Sequence, residues 1–242
     1  MVFQIYTLAW QNYKFDPEKP HFPASIFGRF RQRAMNSGEL SLSLHREYRR
    51  KQNEDMKQDN GAALVERFEE QVGEDLMGFL RKKGAVDEVT PQCPDVEERW
   101  GMIARAYLPD GAREFQNYPT ASLGWMMFIG MAMAFYWDQD WENHADRQDI
   151  YESLRDLRGF DNLDEAITES VLGYEGEAAA AVIDLVADCA ARAYSLLRHQ
   201  QVEPGTQEAF GCYIAALHQL YLAGMAMQLN ALGYHMTPLN LN

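Results

Sequence analysis

The sequence predicts an all-α protein, a multi-helix bundle of about four long antiparallel helices with shorter ones between them. Three observations carry that expectation. Two tracts contain no Asp, Glu, Lys or Arg, the 23 residues from Phe115 to Trp137 and the 34 from Ala209 to Asn242, in a chain that is 24% charged. Uncharged stretches of that length and composition mark helices buried nearly all round. Leu64, Phe68, Val72, Leu76 and Leu80 recur every four residues, one stripe of a helix. No alternation of strand and helix patterns appears, which argues against a parallel sheet.

The elements follow in order. Val2 to Trp10 is apolar and reads as a strand or short helix closing the fold. Pro17, Pro20 and Pro23 make 13–24 an extended connector. Ile26, Phe27, Phe30 and Ala34 suit a short helix stopped by Ser37-Gly38. Residues 39–52 fit a strand and a helix equally well, and Lys51 to Asn60 is polar enough to be an exposed link. The first 55 or so residues therefore read as irregular, and residues 1–60 as an extended, basic segment packing on a single helical domain, 61–242.

Within that domain a helix is expected over 61–83, with Lys82 and Lys83 in its last turn and Gly84 just beyond. Asp95-Val96-Glu97-Glu98 is similar to a capping box, opening a helix through Trp100, Ile103, Ala104 and Tyr107 to a stop at Pro109. Pro119 suits the first position of a helix over 119–141. Shorter helices are expected near 146–158 and 162–173, then long ones over 177–200 and 206–232, with Pro204-Gly205 turning the chain between them. Gly-Met-Ala-Met occurs in both uncharged tracts, at Gly130 to Met133 and Gly224 to Met227, as shared packing demands would produce.

Charge narrows the function classes. Residues 1–60 carry 10 Lys/Arg against 7 Asp/Glu, whereas 61–242 carry 12 against 29. A body so acidic repels phosphate backbones and argues against nucleic-acid binding. The basic stretch Arg29, Arg31, Arg33, Arg46, Arg49, Arg50 and Lys51 is expected to dock on that body. The uncharged tracts are long enough for a bilayer, but acidic flanks (Asp138, Asp140, Glu142) and the polar His218, Gln219, Gln228, Asn230 and His235 argue against a membrane. Three cysteines, Cys93, Cys189 and Cys212, form no CxxC, and no leader pattern opens the chain, so a reducing cytoplasm is expected.

Catalytic signatures such as GxSxG, GxGxxG, a Walker loop or HExxH are absent, and the six histidines do not cluster. His218, on an apolar face, reads as a satisfied core histidine. One acidic segment stands out, Asp138-Gln-Asp140-Trp-Glu142-Asn-His144-Ala-Asp146-Arg-Gln-Asp149. Its acids at the first, third, fifth, ninth and twelfth places resemble an EF-hand calcium loop, which implies oxygen ligation of a hard cation. It departs from that pattern at Asn143, Ala145 and Asp149, where the motif has Gly, a larger aliphatic residue and Glu. If the segment is helical instead, Asp138, Glu142 and Asp149 share one face and Asp140 with His144 the other. A divalent metal would then draw further carboxylates from Glu66, Glu70, Glu175, Asp184 or Asp188. Trp125, Tyr136, Trp137 and Trp141 are candidates for a pocket for an amine or cation.

These readings converge on a non-catalytic interaction or adaptor protein that self-associates through its Gly/Met-rich helices, with no cofactor expected. The alternative is a divalent-metal-dependent hydrolase or small-ligand-binding protein using the cluster Asp138, Asp140, Glu142, His144 and Asp149.

Overall fold

A computed structural model describes the backbone of residues 37–236 and the side chains of 60–236. The expected closing segment, the proline-rich connector, the short helix at Ile26 to Ala34 and the docking of the basic side chains lie outside these described residues.

The long stripe of the sequence belongs to α1, Ser37–Lys82, a helix of 46 residues. The expected link over 51–60 and the ambiguous 39–52 are thus part of one helix. Arg, Lys, Gln, Glu and Met are good helix formers, so a polar run suits a helix as readily as a loop. Gly84, at φ +70°, ends α1, with Ala85 N–H reaching back to Leu80 C=O at 2.9 Å.

Helix α2, Pro94–Glu98, is capped at Cys93, whose N–H donates to the Glu97 carboxylate at 3.3 Å, so the cap lies two residues before the expected box. Helix α3, Trp100–Phe115, runs through Pro109 instead of stopping there. Its interior position is held by tertiary bonds. Tyr107 O–H donates to Ser122 C=O, and Ser122 O–H donates to Gly111 C=O at 2.8 Å. Helix α4, Pro119–His144, begins at its proline and breaks helical geometry at Asp140. After α5, Ile150–Asp156, the expected helix at 162–173 is a composite: a 3₁₀ turn, the short α6 (Leu163–Glu165) and a π-helical turn at Ala166–Val171. Helices α7, Gly176–His199, and α8, Gln207–Ala231, match their expected spans closely, and Thr206 caps α8 by accepting Ala209 N–H at 3.2 Å.

Helix α7 runs antiparallel to α1. Asp75 of α1 meets Arg192 of α7 while the later Lys83 meets the earlier Asp188. The most extensive contacts, however, join helices that run parallel. Helices α4 and α8 form the most extensive interface and α1 with α8 the next. The α1–α8 register is parallel at every contact, Gly61 to Glu208, Val65 to Gly211, Gly73 to Gln219. The four long helices are therefore not all mutually antiparallel.

The α4–α8 crossing explains the repeated tetrapeptide. A methyl at Gly130 would overlap the Tyr221 carbonyl, whose carbon lies 2.9 Å away, and one at Gly224 would overlap the Met127 carbonyl in the same manner. Each glycine faces the carbonyl three residues before the other, a local two-fold arrangement in which two backbones touch. Ser122 to Ala134 is buried without interruption, as is Gly211 to Leu217. Helix α8 is long and apolar enough to cross a membrane, and 78% of its most apolar window is buried inside the protein. The two Gly/Met-rich helices thus pack against each other within one chain.

All three cysteines are buried. Loss of hydration raises their pKa values, to about 12 for Cys189 and about 11 for Cys212. Native protein at pH 8 should therefore resist thiol-disulfide reagents for hours and release three thiols only in denaturant. Burial also raises Tyr107, Tyr151 and Tyr221. Since these folded-state values exceed the unfolded ones, the unfolded chain loses its protons first. Stability should hold up to about pH 8.5 and fall above it, as melting temperature against pH will record.

Candidate functional site

The acidic segment sits at the end of the bundle where α1, α4 and α8 all finish, and four of its members, Asp138, Asp140, His144 and Asp149, already make hydrogen bonds. Asp140 accepts both bonds of the Asn143 amide at 2.9 Å. His144 bonds the Asp140 carbonyl at 2.7 Å and stacks on Tyr136 at 4.1 Å. Asp149 takes both arms of Arg147 at 3.0 Å, which lowers its pKa. Asp138 accepts the Tyr234 hydroxyl at 2.7 Å. Helical geometry extends to His144 with a break at Asp140, and Asp146 and Asp149 follow beyond the end of the helix. Glu142 is exposed. Among the described residues no group of three or more His, Cys, Asp or Glu side chains converges on a metal position.

The four aromatic candidates do not share a pocket either. Trp125 is buried against Phe160 at 4.5 Å, most of a helix length from Trp141. Trp137 donates to Asp95 at 3.1 Å and packs its ring on Tyr234 at 5.5 Å. That end is occupied by the chain's own tail, held by an antiparallel bridge between Val89 and Met236 and by His235 on Asp87 at 2.8 Å. His218 is satisfied as expected, paired with Glu69 and lying against Trp100 at 4.7 Å.

An open cavity lies at the opposite end, where α3 finishes, α7 finishes and α8 begins. It is a groove of about 560 Å³. Four rings in succession line it: Tyr194 to Phe115 at 6.1 Å, Phe115 to Tyr213 at 4.6 Å, Tyr213 to Phe210 at 6.3 Å. Leu197, Val202 and Ala209 fill the gaps between them.

Local sequence explains the site. Tyr194 and Leu197 lie one turn apart near the end of α7, and Phe210 and Tyr213 one turn apart near the start of α8. Gly205, at φ +81°, and the Thr206 cap fold the connector so that these pairs face the same space. The floor is fixed from below, because the Tyr213 hydroxyl shares a 2.8 Å bond with Ser122, itself bonded to Gly111. Arg198 stands at the rim with its guanidinium 5.8 Å from the Tyr194 ring centroid. None of these residues was singled out from sequence as a site. The available signal was two aromatic-bearing turns flanking a Pro-Gly connector.

Comparison of the chain with protein-family models, with curated proteins and with solved structures returns no match in any of the three. Fold and groove together define a class, an all-α bundle with an open, aromatic-walled groove at one end.

Proposed function

We propose that the protein is a non-catalytic binding protein whose groove takes a small, largely apolar ligand. The observation that carries this reading is the groove itself. Its volume falls within the range of small-molecule sites, roughly 300–1,000 Å³, and its walls are aromatic and aliphatic with few polar groups. The reading keeps the non-catalytic character expected from the sequence, replaces the self-associating adaptor with a small-ligand binder, and puts the binding surface at the start of α8, away from the acidic cluster. The metal-hydrolase alternative is not carried forward, because among the described residues no three His, Cys, Asp or Glu side chains converge on a metal position.

A neutral fluorescent probe such as N-phenyl-1-naphthylamine tests it. The expected result is saturable binding at one site per chain, raised melting temperature at saturation, and loss of both in Ala209→Trp, which fills the groove from its wall. Light scattering run alongside distinguishes a ligand site from a dimer seam. Absent binding, or binding unchanged in Ala209→Trp with a native melting curve, overturns the proposal.

A further inference from the structure

Resting on the groove being a ligand site, we propose that its ligand is a small amphipathic monoanion, an apolar body ending in one carboxylate that Arg198 receives. The groove is lined by fourteen residues, and Arg198 is the one Lys, Arg, Asp or Glu among them. That is unlike its surroundings. Over residues 61–242 acids outnumber bases by 29 to 12, so a charge placed without selection is more than twice as often negative.

Arg198 also differs from most other arginines of the fold. Arg113, Arg147, Arg155, Arg158 and Arg192 each pair with a carboxylate. Arg198 forms no ion pair among the described residues, and its guanidinium lies over the face of Tyr194. A guanidinium held over a ring face by a cation–π contact keeps N–H groups available for the two parallel bonds a carboxylate accepts. Tyr194 thus presents the cation beside the apolar wall that would take the ligand's body.

The start of α8 adds to this bias. Thr206 and Ala209 line the groove, so the positive end of a 25-residue helix faces the same space. The acid of that first turn, Glu208, lies toward Gly61 of α1 and does not line the groove. An arginine in the last turn of α7 also complements that helix's own dipole, as His199 does. The dipole role and the ligand role differ in one measurable respect, because only the second makes binding depend on the charge of the ligand.

The experiment is displacement of the neutral probe from the full chain by three ligands of equal chain length below their micelle concentrations: decanoate, decan-1-ol and decyltrimethylammonium. Decanoate is expected to displace it about tenfold more tightly than the alcohol, and the cation most weakly. Arg198→Gln should lower decanoate affinity about tenfold and leave affinity for the probe and the alcohol unchanged, with Arg198→Lys restoring part of the loss. Equal displacement by all three ligands, or decanoate binding unaffected by Arg198→Gln, overturns this inference while leaving the groove a ligand site. Failure of the probe and all three ligands to bind overturns both.

Discussion

Gly130→Ala is expected to destabilise the protein by about 3 kcal/mol, and Gly224→Ala by a similar amount. In an ordinary helix the same change stabilises, by roughly 0.5–1 kcal/mol, because alanine loses less backbone freedom on folding. Here the sign reverses, since the new methyl meets a backbone carbonyl of the partner helix and not the end of a mobile side chain. Relief requires moving α4 away from α8, and the buried methionines on both sides then lose contact along the interface. The double variant should cost less than the two single costs added, because helices already parted have room for the second methyl. Gly78→Ala supplies the control: nothing lies within 4 Å of its added carbon, and it should gain the usual helix-propensity increment. Urea unfolding of the four proteins measures all of this, with midpoints shifting and slopes constant. A neutral Gly130→Ala would mean that the two backbones do not approach this closely.

Phe68→Ala is expected to cost about 3–5 kcal/mol. Phe68 is 1% exposed on the stripe that α1 turns toward α8, in line with Val65, Val72, Leu76 and Leu80. Glu66→Ala, one position off the stripe and exposed, should change stability by no more than about 0.5 kcal/mol. Chemical denaturation of both variants, with amide exchange over residues 61–82, separates two arrangements. If α1 belongs to the cooperative core, its amides exchange at the global rate and Phe68→Ala lowers the midpoint markedly. A small loss would mark α1 as an appendage of a bundle formed by α3 to α8.

The site was less legible than the fold, for a geometric reason. The acidic cluster drew attention because its members are adjacent in sequence, yet adjacency on a helix scatters side chains around the axis. Asp138, Asp140 and Asp149 accordingly bond to Tyr234, Asn143 and Arg147 respectively. The groove residues come from three helices and the connector between two of them, with Phe115 and Phe210 95 positions apart in the sequence. Nothing in the pattern of one segment reveals that its ring will touch another's. Pro109 misled similarly: its missing N–H costs one helical bond, and the Tyr107 and Ser122 bonds that hold α3 around it are invisible until α4 is in place.

Periodicity and the absence of charge were enough, by themselves, to determine the all-α class, the spans of α4, α7 and α8 and the burial of Ser122 to Ala134 and Gly211 to Leu217 within the uncharged tracts. Those properties depend on where apolar side chains fall around a single helix axis. Tertiary structure alone decided that α1, α4 and α8 run in one direction, that Gly130 and Gly224 meet each other's backbones, and that an aromatic groove opens beside Arg198. These features arise between helices, where contact depends on the path of the whole chain and no local pattern records it.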